Sequence, residues 1–410
     1  MRSQTPTRLL AVLIGVILVP AALGAPKYRV LHNFGAGNDG AFPSGPLLLD
    51  KRGNLYGDTG GGGAYSYGMV FELIRHADGT WGESAVHEFA DSGDGADPVG
   101  NLVSDDTGDL YGTLKGAGPG QTAVFELEPG SGSWDFSMLY TQGVGPGLLL
   151  DKSGNLYGDI GPGDYYGAGA IGELSLGSKG WNYTQLYSFC SQHDCADGRS
   201  PVAAPIWDTH GNLYNTTYYG GIGQPKCWTT FGCGVVFQMT PKGDGTWTYR
   251  ILHRFASFPT DGQTPSGGLA MGASGDLYGV TALGGVHNNG TIFKFTPSAN
   301  GHWTQTVLYD FPASCVEGCG PNGTLVFDKA GNLYGAASGG LADCQGYACG
   351  VVFKLTPQAG GKWKYSVMHK FNGADGGFPY GVILDDKGNL YGTTQAFGAY
   401  GYGVAFEITQ

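Results

Sequence analysis

Apolar positions in this chain come in short bursts, and no helical period is sustained after the first twenty-five residues. In the first clear unit, Pro43 to Asp50 (PSGPLLLD) reads as strand A and Asn54 to Thr59 as strand B. Met69 to Leu73 (MVFEL) reads as strand C and Trp81 to Phe89 as strand D. The runs are rich in Val, Leu, Phe and Tyr and are bounded by Gly, Pro and Asp, the signature of strands separated by tight turns. Between strands A and B, Asp50-Lys51-Arg52-Gly53 predicts a turn in which the carboxylate accepts from backbone N–H groups and Gly takes the left-handed position.

The phrase Gly-Asn/Asp-Leu-Tyr that opens strand B occurs seven times. Its tyrosines, Tyr56, Tyr111, Tyr157, Tyr214, Tyr278, Tyr334 and Tyr391, lie 55, 46, 57, 64, 56 and 57 residues apart. Strand C recurs with it, as does the Trp that opens strand D. A period near 50 denotes a repeat architecture, and four antiparallel strands per unit is the content of a propeller blade. The last unit stops after strand C at Gln410, while Tyr28 to Phe34 is a strand D with no strands before it. Leu31-His32-x-Phe34 matches Leu252-His253-x-Phe255 and Met368-His369-x-Phe371. The expectation is therefore an all-β, seven-bladed β-propeller of four-stranded antiparallel blades, its ring closed by the N-terminal strand completing the last blade. One domain spans 26–410, with blades approximately at 43–89, 98–140, 146–189, 201–255, 265–311, 321–371 and 379–410 plus 27–34. Closure removes the two free edges that would invite aggregation.

This topology sends the A–B and C–D turns to one face and the B–C loops and D–A connections to the other. The A–B turns are nearly constant in length, whereas the B–C loops vary and carry unusual residues. Function is expected on the B–C/D–A face, because variable loops on a rigid scaffold are its usual place.

Residues 1–25 read as a secretory signal: Arg2 and Arg8, an apolar run from Leu9 to Val19, then Pro20 and small residues. The run is short for a membrane span and none follows. The chain carries a net charge of −12. Without Arg2 and Arg8, 20 bases face 34 acids, a net −14. Such a field repels nucleic acid and anionic membranes. The expected location is secreted, periplasmic or extracellular, and the expected state is a monomer.

A Pro-x-Gly-Leu strand, Asp-x-x-Gly-Asn-Leu-Tyr-Gly-Thr-Thr, a Gly-Gly loop and Gly-x-Val-Phe-x-Leu together resemble the GloVer-type tandem repeat of secreted bacterial proteins. The resemblance covers roughly Tyr28 to Gln410. It implies an extracellular β-propeller and brings no established activity and no catalytic residue set.

Eight cysteines in an exported chain read as disulfides. Cys190 and Cys195 lie in the connection entering blade 4, and Cys227 and Cys233 in its B–C loop. Cys315 and Cys319 enter blade 6, and Cys344 and Cys349 lie in its B–C loop. Bridges within each loop are favoured over bridges between the two loops of one blade. The spacings are not the tight pairs of zinc ribbons.

An acid-Gly-x-x-Pro phrase in the D–A connections places Asp39, Asp94, Asp197, Asp261 and Asp375 in register. A turn shaping the entry to strand A is the favoured reading; a carboxylate ring for Ca²⁺ is the alternative, and no other cofactor is expected. His32, His87, His253 and His369 share one position in strand D with Tyr140, Tyr187 and Tyr309, which suggests packing. No nucleophile elbow, His-Glu-x-x-His or Walker sequence occurs. The suggestive residues are aromatics in the B–C loops: Tyr65, Tyr67, Tyr165, Tyr166, Tyr219, Trp228, Tyr347 and Tyr400. Such rings stack on sugars or grip a peptide. The expected function is a secreted, non-catalytic binding or scaffold module for a glycan or protein. The alternative is an extracellular polysaccharide hydrolase or lyase.

Overall fold

The computed structural model describes residues 25–35, 38–116, 122–161, 167–221, 227, 231–255, 261–340, 344 and 348–410. Apart from Ala25, the expected signal segment lies outside them. Seven antiparallel sheets follow one another along the chain, with no α-helix among the described residues. Blade 1 comprises Gly40–Pro43 and Leu48–Leu49 (A), Leu55–Gly62 (B), Met69–Arg75 (C) and Trp81–Glu88 (D). In the last sheet Gly377–Leu384, Leu390–Ala396 and Val404–Thr409 are joined by Lys27–Asn33 as strand D. Lys27 pairs with Thr409 and Asn33 with Val404, so the N-terminal strand closes the ring as expected.

Both faces of each sheet pack on neighbouring blades, which is why strand C opens with consecutive buried apolar residues, as in Met69, Val70 and Phe71, before the polar fourth position held here by Glu72. Val70 turns toward blade 2, where it packs with Leu102 and Phe125. Its neighbours Met69, Phe71 and Leu73 turn toward blade 7 and pack with Phe34, Tyr391 and Ala405. Each fully buried Phe contributes roughly 2–3 kcal/mol. The opening Gly of the strand B phrase sits at positive φ in the A–B turn, as in Gly331 (+82°). The Gly after Tyr is required for a different reason: a Cβ on Gly335 would lie 2.7 Å from both Leu325 and Phe353. Blade 4 has Asn215 here. Pro205 stands where five other blades place that Leu and blade 7 has Val382, and the Asn215 amide bonds the Ala203 carbonyl at 2.7 Å.

Strand A differs from the expected span. It begins inside the acid-Gly-x-x-Pro phrase, and the residue before the Pro takes a left-handed conformation: Phe42, Asp97, Ser200, Thr264, Gly320 and Phe378. The kink aims that residue's N–H at the preceding blade. Phe378 donates to Cys349 O at 2.8 Å, Asp97 to Tyr67 O at 2.9 Å and Phe42 to Tyr402 O at 2.9 Å. The Pro then lies over the Gly that opens strand C of the preceding blade; a Cβ on Gly350 would stand 2.4 Å from Pro379 Cδ. This Gly–Pro latch joins six of the seven junctions and accounts for both repeated motifs. The junction of blades 2 and 3 lacks it. There the Asn101 side chain makes two 3.0 Å bonds to the Leu148 backbone, and Thr122 Oγ1 accepts from Val144 N–H.

Candidate functional site

The B–C loops and D–A connections meet on one face, where Gly63 N donates to Asp39 O at 2.8 Å and Gly285 N to Asp261 O at 2.8 Å. Every C–D pair carries a bulge at the same level, as between Val70 and Phe71 and between Val352 and Phe353. A bulge re-aims the side chains beside it. Here it turns the strand D His or Tyr back onto the connection leaving its own blade. His32 Nε2 lies 2.7 Å from Asp39, His253 2.9 Å from Asp261 and His369 2.9 Å from Asp375. His87 stands 3.2 Å from Asp94, and Tyr187 donates to Asp197 at 2.7 Å. The five aspartates thus tie each connection to its strand D. Backbone donors add to this: Gly35 and Gly40 on Asp39, Asn372 on Asp375. No group of three metal-ligating side chains occurs among the described residues. The histidines are more than packing residues, because each is also a hydrogen-bond partner.

The same rings join neighbouring blades. Tyr28 stacks on His369 at 3.8 Å, Tyr249 on Tyr187 at 3.9 Å and Tyr365 on Tyr309 at 4.0 Å. Phe136 stacks on His87 and Tyr183 on Tyr140, both at 4.8 Å. The stacking partner is always the second residue after the strand D Trp, or its equivalent in the N-terminal strand. Two blades break this rule. Gln305 bonds Asp261 at 2.8 Å, and Glu83 faces His32 and Asp39. With a carboxylate in place of a ring, a cleft of about 440 Å³ opens between blades 7 and 1, lined by His32, Asp39, Glu83 and Tyr400. Glu83 Oε1 is buried without a partner. Burial, reinforced by the Asp39 charge, raises the Glu83 pKa above the usual carboxylate range.

Tyr400 is 55% exposed and also borders a second cleft, of about 430 Å³, with Asn372, Phe397 and Cys344. Toward the axis, Phe42 and Tyr402 meet edge to face at 5.3 Å, and Phe378 lies 5.6 Å from Phe397. Phe42 and Phe378 are the two aromatic residues at the strained pre-proline position. Tyr65 and Tyr67 are exposed on the same sector. Tyr219 is half-buried on blade 4, 5.7 Å from Phe231, which lies under the Arg199 guanidinium. Tyr165, Tyr166, Trp228 and Tyr347 lie outside the described residues. The cysteines pair within their loops: Cys190 with Cys195, Cys227 with Cys233, Cys315 with Cys319 and Cys344 with Cys349.

Two carboxylates were not anticipated. Asp58 and Asp159 follow the Gly of strand B, where other blades have Thr113, Thr216, Val280, Ala336 and Thr393. Thr216 and Thr393 use this position to bond carbonyls of the following blade, Gly267 and Gly45. Burial raises the pKa of Asp58 to about 7 and that of Asp159 also to about 7. Geometry agrees for Asp58. Ser44 Oγ lies 2.8 Å from Asp58 Oδ1 and 2.7 Å from Pro98 O, and it has one proton to give. Both contacts are satisfied when Asp58 is protonated and donates to Ser44, which donates to Pro98. Asp58 Oδ2 is buried without a partner.

The structure is similar to an ancestral GH74 enzyme, 12% identical, with a TM-score of 0.58 over 94% of this chain and 51% of that one. It is also similar to the polysaccharide lyase Uly1, 11% identical, with a TM-score of 0.52 over 92% of each chain. A glucose dehydrogenase matches at 12% identity and a TM-score of 0.41, covering 94% of this chain and 99% of that one. At these identities the likeness is one of fold. No curated protein matches the sequence. Repeat units resembling the GloVer type, arranged as seven blades, agree with the sequence match to the Gloeobacter/Verrucomicrobia repeat over residues 123–346, more than half of the chain, and the protein belongs to that family.

Proposed function

We propose that this protein is an exported, non-catalytic binding module that holds a glycan on the B–C/D–A face at blades 7 and 1. The observation that carries this reading is the asymmetry of the exposed rings. Among the described residues six aromatic side chains are exposed, and five of them, Phe42, Tyr65, Tyr67, Tyr400 and Tyr402, belong to these two adjacent blades. Exposed rings on a rigid scaffold supply contact area at little entropic cost, and their faces suit the C–H faces of sugars.

Four disulfides fit an oxidising compartment, which agrees with export to the periplasm or beyond. No helix among the described residues is long and apolar enough to cross a membrane.

An array of glycans and cell-wall polysaccharides, run with and without Ca²⁺, tests the proposal. Binding that is lost in Tyr400→Ala and Phe42→Ala, with the polysaccharide recovered intact, is the expected result. Chain cleavage during the incubation points to the hydrolase or lyase reading instead. Absence of binding to every glycan moves the partner to a protein.

A further inference from the structure

The seven A strands surround a cavity of about 510 Å³ on the axis. Most of its wall is apolar, with Val99 and Val103 from blade 2, Leu149 from blade 3, and Val202 and Ile206 from blade 4. Most polar groups on the wall are already spent on the protein itself. Ser44 bonds Asp58 and Pro98. Ser266 bonds Pro321 O, and Asn101 is taken up by Leu148. Thr324 accepts from Gly268 N–H.

Two polar groups are left over, and they are neighbours on the A strands of blades 6 and 7. Asn322 Oδ1 is buried without a partner, and the Tyr380 hydroxyl, whose electrostatic neighbour is the buried Asp58 carboxyl of blade 1, makes no hydrogen bond among the described residues. A water in such a space needs two to four polar partners, and most of this wall offers none. Apolar cavities of this kind accept apolar ligands, and a ligand site is typically an apolar hollow with a few convergent polar groups.

We propose that the axial cavity binds an apolar small molecule carrying a single hydroxyl or amine head, which bonds Asn322 and Tyr380 while its body lies against blades 2 to 4. This site is separate from the aromatic sector on the outer face.

Titration of the full-length mature protein with N-phenyl-1-naphthylamine, an apolar fluorophore with one N–H donor, tests the proposal. The expected result is a saturable rise in fluorescence at one probe per chain. Val202→Trp and Val99→Trp, on separate blades, each fill the cavity and should weaken binding at least about tenfold. Circular dichroism and thermal melting identify which of them is folded. Asn322→Leu should weaken the probe by about fivefold, the worth of one hydrogen bond, and leave the affinity for 1-phenylnaphthalene unchanged. Tyr400→Ala should have no effect. No saturable binding, unchanged affinity in a folded cavity-filling variant, or loss of probe binding in Tyr400→Ala would each overturn the proposal. Failure of the glycan reading leaves these outcomes unaltered.

Discussion

The Tyr28 ring lies flat on His369 at 3.8 Å, and its hydroxyl bonds the carbonyl of Asp375, 347 residues away in sequence, at 2.6 Å. Those contacts fasten the N-terminal strand to blade 6 as well as to its own sheet. Tyr28→Ala should destabilise the protein by roughly 2–3 kcal/mol, from the lost ring burial, the stack and the hydrogen bond. Urea unfolding measures this. Deleting Lys27 to Phe34 should do far more, because it bares the edge of Val404–Thr409. A truncated protein that is exported normally and melts like the full chain would remove the N-terminal strand from any essential role in closure.

The Gly–Pro latch makes a second, position-specific prediction. Gly350 and Gly388 both sit at positive φ, at 90° and 86°. Placing Ala at Gly388, where a Cβ meets nothing within 4 Å, should cost about 1–2 kcal/mol for backbone strain alone. At Gly350 the Cβ would also meet Pro379 Cδ at 2.4 Å and the Ala337 carbonyl at 2.6 Å. Gly350→Ala should therefore cost roughly 1–3 kcal/mol more than Gly388→Ala. Equal melting temperatures for the two variants would mean that the latch contributes nothing.

Blade count, ring closure and the A–B turn were legible because they depend on local spacing repeated seven times. Asp328 accepts from the backbone of Ala330 and Asn332, as the turn reading requires. Burial opposes its ionisation, but these bonds and those from Asn332 Nδ2 and Tyr334 outweigh it and hold the carboxyl below its usual range. The pairing of each strand D His with the Asp of the next connection was not legible. The partners lie six to eight residues apart across a bulge and a loop, at no fixed spacing. The asymmetric acids were hidden differently. Asp58, Asp159 and Glu83 are ordinary residues one by one. They stand out only when the seven units are aligned and the burial of each column is known.

The protonation of Asp58 predicts how stability changes with pH. Its folded pKa of about 7 lies above the ordinary aspartate value of 3.8, so the folded state holds the proton more tightly than the unfolded chain. The associated stability is complete below pH 4 and is lost as pH rises toward 7, by at most about 1.4 kcal/mol per pH unit. Asp58→Asn keeps a donor for Ser44 and cannot ionise. Its stability relative to the wild type should rise from about pH 4 to about pH 7 and level off above. Unfolding measured in urea at each pH decides the matter; parallel profiles would mean that Asp58 is ionised throughout.

Glu83 invites the complementary substitution, because the repeat itself states what the position holds elsewhere. Phe136, Tyr183, Tyr249, Tyr365 and Tyr28 place a ring against the His or Tyr of the preceding blade. Glu83→Tyr should restore that contact with His32, fill the cleft of about 440 Å³ and remove a partly buried carboxylate. A stacked pair is worth about 0.5–1.5 kcal/mol beyond its area. The wild type loses stability as Glu83 ionises, since its folded pKa is raised, so the gain should be smallest at acid pH and grow as pH rises. A melting series from pH 4 to pH 8 tests both the sign and the trend. If glycan binding in the same variant is weakened while stability increases, the missing ring is a stability cost retained for the cleft beside Tyr400. If binding is untouched, the aromatic sector works without that cleft, and Phe42, Tyr402, Tyr65 and Tyr67 are left as its contact surface.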